Sequence, residues 1–230
     1  MRNLILKAFS LVSLLLLVSC DLPNSTGGAV KLDNVEKKAS YALGQSIGQG
    51  LHQQGFELDV AAMSAAFEDV YGGKESKMTE QEMQSALMEM RKLVNEKQSK
   101  MSEENKVKGE AFLKENQSKK GVKVTSSGLQ YEVLAEGKGN MPKVSDRVRV
   151  HYKGTLIDGS EFDSSYRTNT PAEFQVGGVI QGWQEALQLM KLGSKYKLVI
   201  PSELAYGEMP RPGIPGNSVL VFEVELLDIL

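Results

Sequence analysis

The chain is expected to adopt an α+β fold, an all-helical segment followed by an antiparallel β-sheet wrapped on one short helix. Three observations lead there. From Asn34 to about Lys119 there is no proline, and apolar residues recur at three- and four-residue steps. From Gly121 onward, GLQYEVL, RVRVHYKGTLI, KYKLVIP and SVLVFEVELLDIL are rich in β-branched and aromatic residues with partial alternation. In that half only Gln184 to Met190 has helical spacing, and Gly193 closes it. At 230 residues the chain allows one or two modest domains. The spacing divides it into 1–19, 20–32, 33–119 and 120–230.

The first segment, MRNLILKAFSLVSLLLLVSC, places Arg2 and Lys7 before an apolar run from Ala8 to Val18 that is too short to span a bilayer. It reads as an export signal over residues 1–19. Leu17-Val18-Ser19-Cys20 resembles the bacterial lipobox, in which the cysteine thiol receives a diacylglyceryl group before cleavage. Cys20 is the only cysteine, so neither a disulfide framework nor a thiolate metal cluster can be built within one chain. A lipid anchor at Cys20 would put the mature protein on a membrane without spanning it. The expected location is the bacterial cell envelope, at the outer membrane or the periplasmic face of the inner one. DLPNSTGGAVK then buries too little apolar surface to fold and reads as a tether.

A first helix is expected from Val35 to about Gln54, with Ala39, Leu43, Ile47 and Leu51 on one face and Gly44 and Gly48 permitting close approach of a partner. Gly55 ends it. A second helix should run from about Val60 to Tyr71, stopped by Gly72-Gly73. Thr79 followed by Glu82 forms a capping box for a third, which continues past Phe112. Met83, Leu87, Met90, Val94 and Met101 trace a stripe along it too narrow for a monomer core. Pairing across two chains would supply the missing face, so a homodimer through these helices is expected. Between Val94 and Val107 the residues are mostly Lys, Glu, Gln, Ser and Asn, which reads as a solvated arm. In the last strand Leu220, Phe222, Val224 and Leu226 share one face opposite Val221, Glu223 and Glu225, as a sheet with one buried side requires.

Most chemistry is excluded early. A net charge of -2, or -4 once residues 1–19 are removed, leaves no basic footprint for nucleic acid. His52 and His151 are the only histidines and lie in different halves, so a triad or a metal site lacks material, and no cofactor is expected. No Walker or dinucleotide loop and no serine elbow occurs. Asp158 and Glu161 are best read as a polar loop around Gly159.

The segments VHYKGTLIDGSEFDSSY, VGGVIQGWQEALQLMKLGSKYKLVIPSELAYG and PGIPGNSVLVFEVELL closely resemble the FKBP-type peptidyl-prolyl cis-trans isomerases. SYALGQSIGQGL, in the helical half, resembles the dimerisation region of the macrophage infectivity potentiator, FkpA and FklB group of that family. The resemblance implies a half-barrel around the short helix with an apolar cleft, and it makes Trp183, the only tryptophan, the floor of that cleft. By the same matching Tyr152, Phe162, Asp163, Tyr206 and Phe222 carry catalysis, while Val179, Ile180 and Ile214 bind substrate. Ala172 stands where many eukaryotic relatives carry phenylalanine, and Arg167 is one position from their usual basic residue.

The implied activity is noncovalent isomerisation of X-Pro bonds in exported, proline-containing clients. Two rival readings fit the same residues. One is a holdase chaperone that captures clients in the helical cradle, and the other is a surface adhesin that uses the fold as scaffold.

Overall fold

The structure is a computed structural model that describes residues 30–230. The signal segment, Cys20 and most of the tether lie outside the described residues. The described residues divide into two compact units, with the boundary between Gln45 and Ser46. Three helices come first: α1 (Val35–Gln53), α2 (Val60–Tyr71) and α3 (Glu80–Asn116). Their ends follow from local chemistry. Asp59 caps α2 by accepting from the Ala62 N–H, and Thr79 with Glu82 closes both halves of the capping box at α3.

Seven strands follow: β1 (Val122–Val124), β2 (Gln130–Ala135), β3 (Arg147–Leu156), β4 (Glu161–Ser164), β5 (Ala172–Gln175), β6 (Lys195–Ile200) and β7 (Leu220–Ile229). All pair antiparallel in the order β1-β2-β6-β7-β3-β4, and β5 joins the first half of β3 beside β4. The single helix of this region, α4 (Gln181–Leu189), lies against the sheet. Leu220, Phe222, Val224 and Leu226 are buried, as the alternation requires, against Val148, Val150, Leu198 and Ile200 of neighbouring strands. Ala186, Leu187 and Met190 close the core from the helix side.

α4 begins three residues earlier than its spacing implied. Its N-cap is Ile180, which offers no capping side chain, so no Ser, Thr, Asp or Asn marks the start. Instead the Gln184 side-chain amide donates to the Val179 carbonyl at 2.7 Å. The early start places Gly182 in the first turn, where a Cβ would lie 2.4 Å from Ile200 Cγ2. Ile200 is fully buried and β-branched, so it cannot give way. Gly182→Ala would gain about 1 kcal/mol of helix propensity and lose about 1–3 kcal/mol to overpacking. The expected result is a lower midpoint of urea unfolding, with unchanged slope.

Along α3 the composition misleads. Val94 and Gly109 are buried and Gln98, Ser102 and Asn105 half-buried, so one face of the stretch read as a solvated arm is covered. At Gly109 a Cβ would meet Val219 Cγ2 at 2.8 Å. The end of the helix is fastened to β2: Asn116 Nδ2 donates to Gln130 Oε1 at 2.9 Å, and Gln130 Nε2 donates to the Leu113 carbonyl at 2.9 Å.

Candidate active site

The first turn of α4 carries the site's floor. Trp183 is buried, and three rings pack nearly perpendicular to its indole: Tyr152 of β3 at 5.4 Å between centroids, Phe222 of β7 at 5.2 Å and Phe174 of β5 at 5.6 Å. Phe162 of β4 extends the group through Phe222, at 5.5 Å and 87°. Edge-to-face contacts place positive ring edges against negative faces, which fixes the orientation of each ring. Room for this arrangement comes from Gly154. A Cβ there would meet Phe162 Cζ and Phe222 Cε1 at 2.7 Å each, so the two rings lie directly over the β3 backbone.

Around the buried floor stand half-buried residues. Val179, Ile180 and Tyr206 pack on the same apolar cluster, with Ile214 buried beside them. The Ile180 N–H and the Tyr206 hydroxyl have no hydrogen-bond partner among the described residues. Tyr206 is held from outside by Arg211, whose guanidinium lies 5.5 Å from the ring centroid. The indole Nε1 of Trp183 is likewise buried without a partner among the described residues.

The one anion in the wall is Asp163. Its Oδ2 accepts from the Tyr152 hydroxyl at 2.5 Å, and its Oδ1 accepts from the Ser164 N–H at 2.8 Å and from Arg167 Nη2 at 3.1 Å. Arg167 reaches it by the i,i+4 step despite its displaced position. Burial first, then the hydrogen bond and negative charge of Asp163, push the Tyr152 phenol well above the ordinary tyrosine range. Tyr152 therefore stays a hydrogen-bond donor throughout the neutral range. Burial also raises Tyr196.

Because both folded-state values lie above the unfolded one, their contribution to stability is intact below about pH 10 and is lost as pH rises from there through the raised folded-state values. The unfolding midpoint is expected to fall above about pH 10, and less steeply in Tyr152→Phe, as denaturation followed by fluorescence would record.

Of the residues singled out in the sequence, Tyr152, Phe162, Asp163, Trp183 and Phe222 form one contiguous group, with Val179, Ile180, Tyr206 and Ile214 on its apolar surround. Phe174 was missed. Its signal was the alternation in Ala172-Glu173-Phe174-Gln175, whose first and third side chains turn inward on β5. A cavity of about 760 Å³ lies elsewhere, between α3 and the loop after Tyr206, and shares Ile214 with this group.

Known proteins resemble both halves of the chain. Residues 138–227 match the family described as FKBP-type peptidyl-prolyl cis-trans isomerase, and residues 36–133 match the domain amino terminal to it. The chain is 45% identical over 207 residues to the FKBP-type peptidyl-prolyl cis-trans isomerase FkpA of Escherichia coli K12, covering 85% of this chain and 76% of that protein. It is 40% identical over 206 residues to the outer membrane protein MIP of Legionella longbeachae, covering 87% and 88%. The crystal structure of FkpA from Escherichia coli superposes with a TM-score of 0.62 at 44% identity, over 86% of this chain and 98% of that one.

Proposed function

The chain belongs to the FKBP-type peptidyl-prolyl cis-trans isomerases, and from that premise we infer that it rotates X-Pro bonds of exported proteins in the aromatic cleft over Trp183. The enzyme's task is set by conjugation. Rotation about a peptide bond faces a barrier of about 18–20 kcal/mol because the planar amide loses resonance when twisted. The tertiary amide before proline populates both isomers, so lowering that barrier is enough to speed equilibration.

The observation that carries the mechanism is the buried indole with three rings packed nearly perpendicular to it. An apolar seat for the proline ring disfavours the charge-separated planar amide relative to the less polar twisted one. Stabilisation is then greater in the transition state than in the ground state, which is the condition for a higher rate. The free Ile180 N–H and Tyr206 hydroxyl are suited to hold the substrate carbonyls on either side of the rotating bond. Asp163 orients the Tyr152 ring through its hydroxyl and takes no proton. No nucleophile, metal or cofactor enters. The test is refolding of an unfolded protein whose slow phase is an X-Pro isomerisation. The chain at catalytic concentration is expected to accelerate that phase, and an unchanged phase would overturn the reading. The names of the relatives favour catalysis over the holdase reading.

We further propose that residues 33–119 form the dimerisation region and 120–230 the isomerase domain. Leu43, Ile47, Phe67, Val70 and Leu87 are exposed in the single chain, and a Cβ at Gly44 or Gly48 would meet nothing within 4 Å. Apolar helix faces and small residues left open in this way favour a second copy as partner. Sedimentation of the chain from Asp21 should give twice the chain mass, and removal of residues 31–118 should halve the assembly. Cys20 is proposed as the lipid anchor in the cell envelope, an assignment favoured by the name of the Legionella relative. Metabolic labelling with palmitate, lost in Cys20→Ala, would test it.

A further inference from the structure

Charge is arranged unevenly around α3. Between Lys92 and Asn105 the helix holds Lys92, Glu96, Lys97, Lys100, Glu103 and Glu104, while the uncharged Asn95, Gln98, Ser99, Ser102 and Asn105 fall at steps of three and four. Helical period puts those five on one face. Asn95, Gln98, Ser99 and Ser102 of that face look across the 760 Å³ cavity at the loop between Tyr206 and β7. The cavity's volume lies within the range of about 300–1,000 Å³ typical of ligand sites. Leu156, Pro210, Ile214 and Pro215 supply its apolar lining.

One wall of the groove is pinned. Asn217 Nδ2 donates to Ser102 Oγ at 2.9 Å, and Asn105 Nδ2 donates to the Gly216 carbonyl at 3.1 Å. The rest of the polar face is open: Asn95 and Ser99 have no side-chain hydrogen bond among the described residues, and Gln98 makes only a 3.3 Å contact to the Gln54 carbonyl. The groove also continues into the aromatic cleft. Ile214 lines the cavity and packs on the cluster around Trp183, and Arg211 lines it while lying over Tyr206.

Neutral amides and hydroxyls both donate and accept, as a peptide main chain requires, and they place no charge requirement on its side chains. The charged lining consists of Glu103, Glu208 and Arg211, one net negative charge, which does not describe an anion site. We propose that this groove is a subsite for the extended segment of client chain adjoining the proline, held through its main chain by the amide face of α3. The proposal rests on the isomerase reading of the cleft. It gives α3 a part in substrate binding beyond that of an arm.

The test compares two substrates of the full chain: a four-residue Leu-Pro peptide that spans only the cleft, and a Leu-Pro peptide of about twelve residues, extended on both sides at roughly 3.3–3.6 Å per residue. Ser99→Tyr fills the groove from an exposed helix position, and Gln98→Ala removes one amide without touching the pinned loop. Both variants are expected to keep kcat/KM on the short peptide within about twofold and to lose about fivefold on the long one, through KM. Equal losses on both peptides, or none on either, would overturn the subsite. Failure of the unaltered chain to accelerate either peptide would instead reject the isomerase reading. The groove would then be judged by backbone amide shifts at residues 95–102 on adding the long peptide, and absence of shifts would reject it too.

Discussion

Trp183→Ala should lower kcat/KM for a short Leu-Pro peptide by at least about tenfold, equivalent to about 1.4 kcal/mol of transition-state stabilisation. It should also destabilise the fold by about 3–5 kcal/mol, the usual cost of truncating a buried large aromatic. Both effects have the same origin. Tyr152, Phe174 and Phe222 each direct an edge or face at the indole, so its removal leaves three rings without their shared partner. Trp183→Phe separates the two effects. It refills part of the volume, and it should recover more stability than activity because the smaller ring no longer spans the floor. Equal recovery of both would mean that Trp183 serves as core packing alone.

Gly154→Val should be nearly as damaging to activity while the helical segment stays intact. Valine favours a strand by up to about 1 kcal/mol over poor strand formers. Against that, its Cβ would sit 2.7 Å from both Phe162 and Phe222, and overpacking of this kind costs about 1–3 kcal/mol. The rings must turn to relieve it. Phe222 is the one in contact with Trp183, so the turn opens the floor, and a loss of about tenfold or more in kcat/KM is expected. Circular dichroism near 222 nm should change little, whereas near-ultraviolet signals from the tryptophan should shift. Unchanged activity with the strand intact would show that the Phe162–Phe222 contact is incidental to the site.

How much of this was readable beforehand depends on where each signal resides. The bounds of α2 and the start of α3 were legible because Asp59, Gly72, Thr79 and Glu82 act within a few residues of the chain. The core face of β7 was legible for the same reason: alternation is local. β4 and β5 were not, since four residues of mixed polarity are held only by pairing to β3, a contact made across the fold. The covered face of α3 was hidden more deeply. Ser102 and Asn105 face polar backbone and side-chain atoms of the 216–218 loop, so their burial leaves no apolar trace in the sequence.

The site divides in a similar way. Trp183, Tyr152, Phe162, Asp163 and Phe222 stood out through motif resemblance. Phe174, at a comparable distance from the indole, lay outside the quoted motifs, and its alternation extends over only the four residues of β5. Gly154 is part of the quoted Tyr152-Lys153-Gly154 run, yet the reason for it appears only when two rings from other strands arrive above it.

The most direct test of the central claim is exchange NMR of a short Leu-Pro peptide with the chain from Asp21, beside a folded Trp183→Ala, Tyr206→Phe double variant. Cis/trans exchange cross-peaks are expected to build up at catalytic protein concentration and to collapse in the double variant. A well-folded, unaltered protein that leaves the exchange at its spontaneous rate would contradict the claim and return Trp183 to the role of core residue.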